Sequence, residues 1–238
     1  MNQNRRHSPQ AGPHAPHDSE PLRRALLGAE SRWPAFAAAV VIVVGQSLLA
    51  SRMQLQPVWL LPSIAATLLV ASVGFYISPS KPGRLARLVS VGLASVLVIA
   101  NIGIFIVLAR DVFLGSPLTP TDLLASGAAL WVVNVLVFAI VYWELDGGGP
   151  EARLERRHDF PDLVFPQQQA DQEKLTNAGW EPSFGDYLYV ALTNGTAFSP
   201  TDAMPYTKRA KLVMGVQGLL SFAIAAIVVA RAVNIAKG

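Results

Sequence analysis

Five stretches of this 238-residue chain contain no Asp, Glu, Lys or Arg over a length that can cross a bilayer: 33–51, 53–80, 88–109, 123–143 and 212–230. A spanning helix needs about 20 apolar residues, because the hydrocarbon layer is roughly 30 Å thick and a helix rises roughly 1.5 Å per residue. A helix bordering a soluble core carries one apolar stripe and one polar one, whereas these runs are apolar on every face. Hydrophobic residues make up 52% of the chain and charged ones only 15%, which is too apolar for an ordinary soluble domain. The chain therefore reads as an all-α membrane protein with five transmembrane helices.

The charges lie between those runs, and their distribution predicts an orientation. Arg5, Arg6, Arg23, Arg24 and Arg32 precede the first run, and Lys81, Arg84 and Arg87 follow the second. Arg153, Arg156, Arg157, Lys174, Lys208, Arg209 and Lys211 precede the last. With five spans these fifteen cations fall on one side, against Arg52, Arg110, Arg231 and Lys237 on the other. Cations collect on the cytoplasmic side, so the N-terminus is expected there, in a cell membrane, with the C-terminus outside. The basic balance serves orientation; no long basic helix or aromatic-basic platform points to nucleic acid.

Residues 1–31, rich in Gln, His, Pro and Arg, read as a disordered cytoplasmic tail, and the first run as a retained anchor. The four-helix membrane region is expected over 32–143, with Thr121 or Asp122 as the N-cap of the fourth helix. A soluble connection over 144–185 opens with Gly147-Gly-Gly-Pro150 and carries nine carboxylates against four basic residues. It is expected either to lie solvated on the membrane surface or to pack on the segment after it through Phe160, Phe165 and Trp180. Glu144 and Asp146, beside Tyr142-Trp143, have the residue types of a paired-carboxylate site, but they stand where the fourth helix meets water and are expected to be a solvated helix end.

Little here suggests an enzyme. The chain has no cysteine, so disulfides, thiol nucleophiles and cysteine metal sites are excluded. His7, His14 and His17 lie in the tail and His158 stands apart, which gives no scaffold for a metal, and no phosphate-binding loop or cofactor motif is present. The polar side chains within the runs are neutral, chiefly Gln46, Asn101, Asn134 and Gln217, with Asn234 just past the last run. Such amides pair across helices. A proton-coupled transporter would need ionisable groups there.

The last fifty residues are laid out differently. A short apolar segment, 186–198, leads through Ser199-Pro-Thr-Asp202 and the basic cluster Lys208-Arg209-Ala-Lys211 into the final long run. The segment is too short to span, so 186–238 is expected to form a short re-entrant helix, a turn and the last transmembrane helix. Irregular backbone at membrane depth survives only beside protein or a watery cavity, which associates re-entrant segments with pores and binding sites.

These residues resemble the pore module of potassium channels. Leu192-Thr193-Asn-Gly-Thr196-Ala197 stands where such a channel has the end of its pore helix and the start of its filter. Asp202, with Pro205 and Thr207 behind it, stands at the filter aspartate, and Gly218 at the inner-helix hinge. The whole chain also resembles a group of bacterial multi-pass membrane proteins with four spans, a degenerate pore motif and a final span. The resemblance implies a channel-like pore built from several copies, with Thr193, Thr196, Ser199, Thr201 and Asp202 lining it, Gly218 as hinge, a monovalent cation as cargo and no cofactor.

Two departures modify that expectation. The stretch Thr196-Ala-Phe-Ser-Pro-Thr-Asp202 has no glycine, and Pro200 fixes its own φ and restricts Ser199. A potassium filter needs successive carbonyls turned inward, so potassium selectivity is not expected. Filters of that family also face outward, whereas the charge distribution puts 199–202 at the cytoplasmic face; either the likeness is one of local shape or the module is inverted. Two other readings stand beside the pore: a non-conducting membrane scaffold or interaction protein, in which Asp202 caps or pairs with Lys208 or Arg209, and a transporter using the broken segment as a binding site. The lack of inverted repeats weakens the transporter reading.

Overall fold

The computed structural model describes residues 31–78, 83–114, 119–154, 160–168, 180–196 and 203–236. The expected tail lies outside these residues apart from Ser31. Helices α1 (Trp33–Arg52), α2 (Leu60–Ile77), α3 (Arg84–Leu114) and α4 (Pro120–Leu145) come first. A 3-10 turn (Asp146–Gly148) leads to α5 (Pro150–Leu154), the short strand β1 (Leu163–Val164) and a second 3-10 turn (Pro166–Gln168). Helix α6 (Phe184–Thr196), strand β2 (Met204–Pro205) and helix α7 (Lys208–Ala236) complete the chain.

Among the described residues, five helices are long and apolar enough to cross a membrane: α1, α2, α3, α4 and α7. This is the organisation of a multi-pass membrane protein. Helix α4 is the centre of the bundle and packs against α1, α3, α6 and α7, while α2 lies at the periphery against α1 and α3. Leu130, Val137, Phe138, Ala139 and Tyr142 on α4 are fully buried, so apolar side chains surround this helix on most sides. Helix α3 is longer than its charge-free run. It takes in Arg84 and Arg87 at one end and Arg110 and Asp111 at the other, where charged groups reach past the hydrocarbon.

Local signals explain the helix ends. The N-cap of α4 is Thr119, two or three residues earlier than expected, because Pro120 occupies the first helical position and the Thr119 hydroxyl accepts from the Asp122 N–H at 3.2 Å. Helix α6 starts with the carboxylate half of a capping box: the Asp186 carboxylate accepts from the N–H and the hydroxyl of Ser183 at 2.7 and 2.8 Å. Helix α4 stops because Gly147, Gly148 and Gly149 all have positive φ, at 56°, 79° and 96°, a conformation costly for other residues. A side chain at Gly149 would also collide with the Arg87 guanidinium.

The start of α1, the end of α2, the start of α3 and the end of α4 meet at one end of the bundle. Arg32 pairs with Glu151 at 2.8 Å, Arg87 pairs with Glu144, and Trp33 stacks edge-on against Tyr76. The antiparallel pair β1–β2 brings Val164 opposite Met204 and Leu163 opposite Pro205, so the chain enters α7 from this same loop end.

Candidate functional site

Helix α6 packs chiefly on α4 and α7, touches α1, and meets the connection that precedes it. Its N-terminal half is held at the loop end. The Phe184 ring meets Trp143 edge-on at 6.1 Å, and the Tyr187 hydroxyl donates to Asp146 Oδ2 at 2.7 Å. Phe165, fully buried, lies 5.5 Å from the Tyr187 ring and 5.7 Å from Trp180, and the Arg153 guanidinium stands over the Tyr187 ring, 5.1 Å from its centroid. Of the two expectations for the connection, packing on α6 is the one realised within the described residues. Phe165 and Trp180 are anchors; Phe160 is not, being 73% exposed.

Two buried carboxylates organise this region. Asp146 Oδ1 accepts from the backbone N–H groups of Asp162 and Leu163 at 2.7 and 2.9 Å, while its other oxygen takes Tyr187. Asp162 in turn accepts the two-pronged guanidinium of Arg209, the Thr207 hydroxyl and the Gly147 N–H. One carboxylate joins the end of α4 to β1 and α6, and the other joins β1 to α7. Burial pushes the Asp162 carboxyl up, but the hydrogen bonds from Arg209 and Thr207, the Arg209 charge and the Gly147 N–H outweigh it. Its pKa lies below the ordinary Asp value. Glu144 and Asp146, expected in water, are instead 6% and 1% exposed, because charged and polar groups from α3, the connection and α6 close over the end of α4.

The C-terminal half of α6 lies deeper. Asn194 donates to Tyr142 Oη at 3.2 Å, to the Met214 carbonyl at 2.9 Å and to Gln217 Oε1 at 2.8 Å. Gln217, fully buried, also accepts from the Tyr142 hydroxyl and donates to the Ala191 carbonyl at 2.7 Å. At Gly195 a Cβ would stand 3.3 Å from Ser221 Oγ and 3.4 Å from Val135. From Trp143 to Val135 is roughly 12 Å along α4, and from Lys208 to Ser221 roughly 20 Å along α7, at about 1.5 Å per residue. Helix α6 therefore runs from the loop end into the interior of the bundle, while Met204 is back at the loop end beside Val164. A second polar row crosses nearby: Asn101 Nδ2 donates to Asn134 Oδ1 at 2.7 Å, and Asn134 Nδ2 to Ser221 Oγ at 2.8 Å. Asn101 Oδ1 is buried without a hydrogen-bond partner.

The expected pore-lining residues fare unequally. Ser199, Thr201 and Asp202 lie outside the described residues. Thr193 and Thr196 are in the last turns of α6, but their hydroxyls donate back into the helix. Thr193 reaches the Tyr189 and Val190 carbonyls at 3.0 and 3.1 Å, and Thr196 those of Leu192 and Thr193 at 3.0 and 3.1 Å. Arg209, an expected partner for Asp202, is engaged by Asp162. Gly218 stands within the unbroken helix α7, with open space where a side chain would be.

Comparison with protein-family models, with curated proteins and with solved structures gives no match.

Proposed function

We propose that α6 is a re-entrant half-helix and that α6 and α7 form a channel-like pore element, assembled from several copies, that passes monovalent cations without selecting potassium. The observation that carries this reading is the course of α6. It leaves the loop end at Phe184, reaches the level of Val135 and Ser221 at Gly195, and the chain is beside Val164 again at Met204. Its C-terminal carbonyls carry the negative end of the helix dipole into the bundle interior, where they favour a cation. Lack of potassium selectivity rests on Pro200 and the absence of glycine between Thr196 and Asp202. Among the described residues Arg32, Arg84, Arg87, Arg153, Lys208, Arg209 and Lys211 lie at the loop end, which supports a cytoplasmic N-terminus.

One observation favours the other reading, a non-conducting scaffold that keeps the pore-like shape for packing. The hydroxyls of Thr193 and Thr196 and the Asn194 amide are all used within the chain. Cation flux into liposomes holding the purified protein separates the two readings. A pore gives flux that changes in rate or cation preference with Asp202→Asn. No flux under any gradient would remove the pore and leave the scaffold. A strict monomer in native-like lipid would do the same, since one half-helix per chain encloses a pore only around a symmetry axis.

A further inference from the structure

The hairpin β1–β2 and the first turn of α7 leave a group of large side chains uncovered at the loop end. Phe160 is 73% exposed, Met204 67%, Tyr206 68% and Leu212 69%. The Tyr206 N–H donates to the Asp162 carbonyl at 2.8 Å, which carries the β1–β2 pairing one residue past the strands and sets Tyr206 beside Asp162, two residues after Phe160. Lys208 and Lys211, one turn apart on α7, are exposed beside them. The buried carboxylate of this region, Asp162, is engaged by Arg209, and neither lysine forms an ion pair among the described residues.

We infer that this patch is a docking surface for the headgroups of anionic phospholipids. It lies where a spanning helix begins, so it meets the headgroup layer. Aromatic side chains with a polar tip, such as Tyr206, favour that layer, and exposed lysines at its level complement negative lipid. A second copy of the chain fits the charges less well, because a two-fold contact here would set Lys208 and Lys211 against their own counterparts. Phe160, Met204 and Tyr206 supply apolar contact at the acyl boundary, and the two lysines supply the preference for negative charge.

The test uses the full chain in detergent with phosphatidylglycerol and phosphatidylcholine of matched acyl chains competing for it, retained lipid being read by native mass spectrometry. Each lysine near an anionic surface contributes a factor of about five, so Lys208→Gln with Lys211→Gln lowers the preference for phosphatidylglycerol on the order of 20-fold. Lys208→Arg with Lys211→Arg keeps it. An unchanged preference in the glutamine pair overturns the inference. The chain has no native cysteine, so Met204→Cys carries a single fluorophore whose burial is followed in nanodiscs. Burial that rises with phosphatidylglycerol content supports lipid docking. Burial set by copies per disc, independent of lipid charge, assigns the patch to a second copy and overturns it.

Discussion

The two ends of α6 are held by different chemistry. At the loop end carboxyl groups do the work: Asp146 and Asp162 accept seven hydrogen bonds between them, two from the Arg209 guanidinium. In the interior the partners are neutral amides and hydroxyls from Tyr142, Asn194 and Gln217. Isolated charge is costly to remove from water, whereas a neutral amide in a dry bundle costs little once its hydrogen bonds are made. Charge is therefore tolerable where Arg209 is still half-exposed to solvent and neutral groups are required where Gln217 is wholly enclosed. The loop end fixes where α6 begins; the interior fixes how deep it ends.

This contrast predicts a ranking of variants. Asp162→Ala is the most damaging, since it leaves the Gly147 N–H, the Thr207 hydroxyl and Arg209 without their shared acceptor. A loss of about 3 kcal/mol is expected in a reversible unfolding titration in mixed micelles, moderated because Arg209 can still hydrate. The same carboxylate has an acid signature. Its folded pKa is depressed, so its contribution is full above the unfolded value of about 3.9 and is lost as pH falls through the folded value. The melting temperature should hold steady from neutral pH down to about pH 5 as far as this group is concerned, then fall. Asp162→Asn should flatten that acid limb; an identical limb in the variant would remove Asp162 as its source.

Gly149→Ala comes next, at about 2 kcal/mol, because it forces a side chain into positive φ and against Arg87. Gln217→Leu removes the amide shared by Tyr142, Asn194 and Ala191, and about 1 to 2 kcal/mol is expected on the same assay. Should Gln217→Leu prove costlier than Asp162→Ala, the interior and not the loop end would be the main anchor of α6. Asn101→Leu has the smallest effect, on the order of 0.5 kcal/mol, since the Asn101 side chain makes one hydrogen bond and already has an unsatisfied oxygen.

The long helices were legible in the sequence because bilayer length imposes a simple rule on charge-free runs. Their ends were less so. The cap at Thr119 was masked by two further candidates at Thr121 and Asp122, and only the position of Pro120 distinguishes them. The partners of the intramembrane amides could not be assigned, since pairing Asn101 with Asn134 depends on how α3 and α4 rotate about their axes. The carboxylates at the loop end were missed for a different reason. Asp146 and Asp162 sit in a Gly- and Pro-interrupted stretch without hydrophobic period, which reads as solvated. The available signal was Asp162 standing alone within Phe160-Pro-Asp-Leu-Val-Phe165, an acid enclosed by large apolar residues.

The proposal that α6 is re-entrant is tested most directly by the side from which its flanks can be reached. In this cysteine-free chain, Glu181→Cys, Met204→Cys and Phe113→Cys each place one exposed thiol, before α6, after α6 and at the opposite end of the bundle. A membrane-impermeant thiol reagent applied to sealed vesicles of defined orientation should modify the thiols at 181 and 204 from one face and the thiol at 113 from the other. Modification of 181 and 204 from opposite faces would make α6 part of a crossing segment and contradict the account.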